Sequence, residues 1–130
     1  MKLRVGLVGV GAIAVESHLP VFRDLKNVEL AAICDQRVQA AEKAASKFGV
    51  DSIFGDLANM LSKEKLDVVD ICTPPQTHAS LSIQAMEAGC HVLVEKPLAT
   101  SVQEADKMLD CSKKHNVKLC VVHQNLCNPV

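Results

Sequence analysis

The chain has 130 residues, the length of one domain with room for a real core. Its net charge is −1 with acids and bases interspersed, which offers no docking surface to nucleic acid or to an anionic membrane, and no apolar stretch reaches the length of a membrane span. With three Phe and neither Trp nor Tyr, the core must be aliphatic; that suits parallel strands buried on both faces and argues against base-stacking platforms.

In chain order, Leu3, Val5, Leu7 and Val8 make a short apolar run of strand length. Gly9, Gly11 and Ala14 then fit G-x-G-x-x-G/A, the dinucleotide-binding pattern. Gly9 allows a tight turn, Gly11 lets backbone approach a pyrophosphate, and Ala14 lets the next helix pack closely. Ala12 and Ile13 lie at that helix's N-terminus, whose free N–H groups suit phosphate. A rival reading is a secretory signal, with Lys2 and Arg4 ahead of an apolar run and Ala12-Ile-Ala14 as the cleavage site. Glycines inside the apolar run, and the strand that cleavage would remove, argue against it.

A helix follows near Ala12 to Leu25, interrupted by Pro20, which must kink or restart it. Val28 to Cys34 is a second strand, and Asp35 behind it supplies the acid that the dinucleotide fingerprint expects. A helix over Gln36 to Phe48 ends at Gly49, with Val38, Ala41, Ala45 and Phe48 at helical spacing. Ser52 to Phe54 is a short strand, and Asp56 to Leu61 a small helix. Asp67 to Cys72 is the fourth strand; Thr77 can cap the next helix, which ends at Gly89. Cys90 to Val94 is the fifth strand. Ser101-Val-Gln-Glu104 is a capping box opening a helix with Val102, Ala105, Met108 and Leu109 on one face. Lys113, Lys114 and His115 suit its negative end, and Val117 to Val122 is a sixth strand. Strands alternating with helices predict βαβ units, a parallel sheet and a doubly wound three-layer α/β/α nucleotide-binding (Rossmann) fold.

In such sheets ligands bind beyond the carboxyl ends of the strands. The unusual residues fall there: the Gly-rich turn, Asp35, Thr73-Pro74-Pro75, Glu95-Lys96-Pro97 and His123-Gln124-Asn125. Asp35 can accept bonds from ribose hydroxyls, and its charge repels a 2′-phosphate, which favours NAD. Arg37 keeps NADP open, because it could pair with that phosphate. The plain alternative for Asp35 is helix capping. Lys96 is the sharpest catalytic candidate: Pro97 restricts its backbone and is a candidate cis proline, and beside an oxidised nicotinamide the amine could exchange a proton with a substrate hydroxyl. Its alternative is a solvated surface lysine. Gln124 completes the candidate cofactor set. His78, near a helix start at the crevice, either touches cofactor or caps. His18, His91, His115 and His123 read as structural or surface residues.

The six cysteines form no C-x-x-C and no zinc spacing, so no metal site is assigned. Cys34, Cys72, Cys90 and Cys120 lie in or beside apolar runs. They read as buried, reduced thiols of a cytoplasmic protein.

Gly9-x-Gly11-x-x-Ala14, Thr73-Pro74, His78 and above all Ala88-Gly-Cys-His-Val-Leu-Val-Glu-Lys-Pro97 resemble the Gfo/Idh/MocA oxidoreductases, along the whole chain. The resemblance implies that Lys96 serves in acid–base chemistry during hydride transfer. It also implies that Glu95 and residues Thr73 to His78 line the nicotinamide half of the site. Members carry a second domain that supplies the substrate pocket and the usual dimer face. Residues 1–130 are therefore expected to be the NAD(P)-binding domain alone, inactive without that second domain, from a homo-oligomeric enzyme acting on a sugar, cyclitol or related polyol. Where many members have an arginine and an aromatic after the sixth strand, this chain has Leu126 and Cys127. A non-enzymatic NAD(P)-binding sensor is the alternative, since the family includes a regulator; an intact Glu-Lys-Pro favours the enzyme.

Overall fold

The computed structural model describes residues 1–126. Six parallel strands form one sheet: β1 (Leu3–Val8), β2 (Val28–Cys34), β3 (Ser52–Phe54), β4 (Val68–Ile71), β5 (His91–Val94) and β6 (Leu119–Val121), in the order β3-β2-β1-β4-β5-β6. The helices α1 (Leu19–Asp24), α2 (Val38–Phe48), α3 (Leu57–Lys63), α4 (His78–Glu87) and α5 (Val102–Lys114) connect them. The chain winds outward from β1 in one direction and from β4 in the other, so the crevice between the carboxyl ends of β1 and β4 is the topological switch point.

Alternation along the strands divides the core in two. Leu7 and Ile33 face Ala14, Leu19, Ala41, Ala45 and Phe48 on the side of α1 and α2. Val8, Cys34, Val69 and Ile71 face Met60, Ala85, Met86 and Met108 on the side of α3, α4 and α5. The core is aliphatic and methionine-rich, as the lack of aromatics required.

Three elements differ from the sequence reading, each for a local reason. The first helix opens at Ala12 and Ile13 and widens into a π turn over Ala14–His18, in which the Leu19 N–H reaches the Ala14 carbonyl, before α1 starts. Proline lacks an N–H and its ring crowds the carbonyl four residues back; the wider turn ahead of Pro20 makes room for it. The capping box is split: Ser101 Oγ accepts the Glu104 N–H at 3.1 Å, but the Glu104 carboxylate reaches Thr100, not Ser101. On α5 only Met108 is buried, while Val102 and Leu109 lie exposed. Cys120 is also exposed, contrary to its apolar setting in sequence. It pairs with Leu93 on the face of β5 and β6 opposite α4 and α5, which no helix covers among the described residues. Cys127 lies outside the described residues.

A nucleotide crevice above a buried acid–histidine cluster

The turn after β1 is built around Gly9. Its φ is +93°, and a Cβ there would stand 2.7 Å from the Cys72 carbonyl oxygen, so both conformation and space require glycine. Gly11 differs. Nothing lies within 4 Å of where its Cβ would be, so the chain's own packing does not demand glycine; the bare backbone opens onto the crevice. Ala14 is fully buried, and helical geometry starts at Ala12 and Ile13, which are exposed with the first N–H groups of the helix free of intrahelical partners. A cleft of about 870 Å³ begins at Gly9 and Gly11 and runs past Asp35, Arg37, Thr73 and Pro74 to the start of α3 and the face of α4.

Asp35 is 9% exposed and fully engaged. One carboxylate oxygen accepts the Val10 N–H at 2.9 Å, the other the Arg37 N–H at 2.8 Å, and the Arg37 guanidinium lies 3.2 Å from both. Burial pushes this carboxyl up, but the bonds from Arg37 and Val10 outweigh it and hold it below the usual range. Asp35 does not cap α2, whose N-cap is Arg37. It ties the Gly-rich turn to the turn after β2.

His78 neither lines the cleft nor caps α4. Its ring is fully buried, with Nδ1 2.7 Å from the Pro97 carbonyl oxygen and Nε2 2.8 Å from that of Thr73. Both nitrogens are occupied, so the imidazole props the two loops together from beneath. Thr77 makes no side-chain cap either; its hydroxyl lies 2.7 Å from Thr73 Oγ1 and 2.8 Å from the Pro74 carbonyl oxygen.

Lys96 is exposed, and the Lys96–Pro97 bond is cis. Desolvation of this amine must therefore come from groups that bind over it. Glu95 turns the other way, into the protein, at 7% exposure. Its Oε2 accepts the Lys96 N–H at 3.1 Å, and its Oε1 lies 2.7 Å from His18 Nε2. Gln124 is exposed in a 3₁₀ turn after β6, and neither it nor Ala12, Ile13, Glu95 or Lys96 borders the cleft.

Sequence reasoning missed what lies under this loop. His18, carried inward on the π turn, bridges Glu95 and Asp70, with Nδ1 2.7 Å from Asp70 Oδ2. Asp70 is fully buried in the middle of β4, and its Oδ1 has no partner. Cys72 Sγ sits 3.4 Å from the same imidazole nitrogen. Burial alone would lower the His18 pKa; bonding and charge from Asp70 and then Glu95 overcome it and raise it to about 9. Burial pushes Cys72 up and Cys34 up to about 12, which keeps both as inert thiols. The donor atoms of His18, Asp70 and Cys72 lie within 4.8 Å of one another, but carboxylates already occupy both imidazole nitrogens. The overlooked signal was a lone acid inside the strand Val68-Val-Asp-Ile71, a place where an unpaired charge is not tolerated.

A glycine-rich βα turn, an acid closing the second strand and a cleft at the switch point define a dinucleotide-binding domain. The chain belongs to the oxidoreductase family with an NAD-binding Rossmann fold, Gfo/Idh/MocA, whose model matches residues 3–123. It is 38% identical over 112 residues to D-glucoside 3-dehydrogenase of Escherichia coli (strain K12), covering 86% of this chain and 32% of that protein. Among solved structures it resembles the WlbA dehydrogenase from Bordetella pertussis in complex with NADH and UDP-GlcNAcA. That match has a TM-score of 0.93 and 33% identity, over 98% of this chain and 39% of the other. It is equally similar in fold to KijD10, a 3-ketoreductase from Actinomadura kijaniata in complex with NADP, with a TM-score of 0.93, 28% identity and coverage of 99% and 41%. The chain thus spans well under half the length of these relatives. No helix among the described residues is long and apolar enough to cross a membrane.

Proposed function

We propose that residues 1–130 are the cofactor domain of an NAD(H)-dependent oxidoreductase that interconverts a hydroxyl and a ketone on a sugar, cyclitol or related polyol. The observation that carries the reading is Gly11, whose missing side chain leaves open space at the mouth of a cleft that continues to Asp35. A dinucleotide fits that shape: pyrophosphate against Gly11, Ala12 and Ile13, and adenosine ribose toward Asp35. A nicotinamide cofactor held there would supply the acceptor or donor of the hydride. Lys96, exposed at the carboxyl end of β5, would exchange a proton with the substrate hydroxyl; Thr73 and Pro74, which line the cleft, would hold the nicotinamide together with Gln124 from beyond β6, and His78 and Glu95 would act on it through the loops they hold. Asp35 favours NAD, and Arg37 leaves NADP accessible. The substrate pocket and subunit contacts come from the longer protein, a homo-oligomer, and the reduced cysteines fit a cytoplasmic setting.

Titrating the chain with NADH, read by nucleotide fluorescence, should give saturable binding. The same chain should turn over no polyol, while the longer protein oxidises D-glucosides or cyclitols. Absence of NADH binding overturns the reading, and turnover by the 130 residues alone overturns the division of labour.

A further inference from the structure

We propose that His18 is a positioning residue of this oxidoreductase: held between Asp70 and Glu95, it fixes the carboxylate that in turn anchors the Lys96 backbone. This inference rests on the proposed role of Lys96. Three elements meet in the device. The π turn delivers His18, β4 delivers Asp70, and the loop after β5 delivers Glu95. Both ring nitrogens stand 2.7 Å from a carboxylate oxygen. A carboxylate offers no hydrogen, and a neutral imidazole has only one N–H, so with both acids ionised two such bonds require the imidazolium; burial pushes the Asp70 carboxyl up, and the bond to His18 works against that. With that charge in place, Glu95 Oε1 is committed to His18, and Oε2 is left facing the Lys96 N–H at 3.1 Å.

The titratable groups that face His18 are Asp70 from β4, Cys72 just beyond it and Glu95 after β5; Phe22, edge-on at a ring-centroid separation of 6.4 Å, closes the remaining side. No cation among the described residues competes for either carboxylate. Asp70 makes little sense as a stabilising residue, because an apolar side chain would serve a buried strand better than an acid with one oxygen unpartnered. Its value is to bring a second charge to His18 and hold the ring protonated. Glu95 alone, next to the exposed Lys96 loop, would let the ring turn. The chain Asp70–His18–Glu95–Lys96 N–H therefore transmits the rigidity of β4 to a loop at the crevice rim. Lys96 itself stands exposed at the carboxyl end of β5, on a backbone whose N–H is held by Glu95.

The test separates this device from the reaction it serves. Imidazole ¹⁵N spectra of the chain should show His18 protonated at both nitrogens at pH 7, and amide exchange should show Lys96 N–H protected. His18→Gln should abolish that protection. In the longer protein it should lower kcat by ~10- to 100-fold with the KM for NAD nearly unchanged, the scale expected of a misplaced catalytic group. Glu95→Gln serves where His18→Gln fails to fold: it keeps an oxygen near the Lys96 N–H but loses the charge, so the His18 ring should lose one proton near neutral pH. A His18 ring with a single N–H at pH 7, Lys96 protection unchanged in His18→Gln, or a His18 ring that keeps both protons in Glu95→Gln overturns the inference while leaving the oxidoreductase reading intact. Both spectroscopic signatures in a protein that oxidises no polyol support the clamp and overturn the reaction instead.

Discussion

Two charged clusters stand at the carboxyl ends of the strands, and they are built on opposite terms. Asp35 and Arg37 are two residues apart, and the guanidinium side of the pair is 69% exposed. His18, Asp70 and Glu95 are gathered from positions 52 and 77 residues apart, and their side chains are 9%, 0% and 10% exposed. Water reaches the guanidinium of the first pair, so the contact between the two side chains adds little to stability and Arg37 can exchange partners with a ligand. The second cluster has no water to fall back on. Each member depends on the others, which suits a device that holds a loop and not one that recognises a molecule.

The largest effect should come from the group that the buried cluster supports. Lys96→Ala in the longer protein is expected to cut turnover ~10²–10⁴-fold, the range for a group that moves a proton in the transition state. NAD affinity should stay nearly constant, because the pyrophosphate and ribose contacts lie elsewhere. Lys96→Arg should rescue poorly, since a guanidinium stays protonated. Stopped-flow hydride transfer together with NADH titration checks both halves. Lost cofactor affinity with near-normal turnover at saturation would make Lys96 a binding residue.

Next is the buried cluster itself. Asp70→Ala leaves the Nδ1 side of a buried imidazolium without its carboxylate, Glu95 being the counter-charge that remains, and removing one partner of a buried pair costs about 3–5 kcal/mol. Urea unfolding of the chain measures it. A loss below about 1 kcal/mol would mean that Asp70 is not ion-paired.

Acidity separates the clusters without mutation. His18 has a folded pKa near 9 against 6.5 for a free histidine, so its stabilisation is complete below about 6.5 and is lost as pH rises through 9. Asp35 runs the other way. Its folded pKa lies below 3.8, so its contribution is present above that value and fades as acid is added. Unfolding free energy should therefore fall on both sides of neutrality, and His18→Gln should remove the alkaline fall while leaving the acid one.

The same contrast explains what could be read from the residues alone. The Gly-rich turn, Asp35 and the cis Lys96–Pro97 segment are contiguous motifs, in which neighbours in sequence are neighbours in space. The parallel sheet and the helices on both of its faces followed from apolar runs separated by helical spacing. His18 was set aside as structural or surface because nothing near it in sequence marks it; its partners arrive only once β4 and β5 lie side by side. Glu95 was placed with the nicotinamide, since its motif gives its position but not the direction of its carboxylate. Cys120 was judged buried from an apolar run, whereas exposure depends on what covers the face of β5 and β6.

The most selective effect belongs to Asp35 and Arg37. Asp35→Ser removes a ribose acceptor and a negative charge together, and it releases Arg37 from the two 3.2 Å contacts that now hold it. The freed guanidinium can meet a 2′-phosphate with paired N–H donors. Affinity for NAD should drop and the NADP-to-NAD ratio should rise by about tenfold, or ~1.4 kcal/mol. Parallel titrations of both cofactors against both proteins decide it. Arg37→Ala in the Asp35→Ser background should return the ratio most of the way, because the phosphate then has no cation to meet. A ratio that does not move in either variant would show that Asp35 serves only the Val10 and Arg37 amides, and that the choice of cofactor is made elsewhere along the cleft.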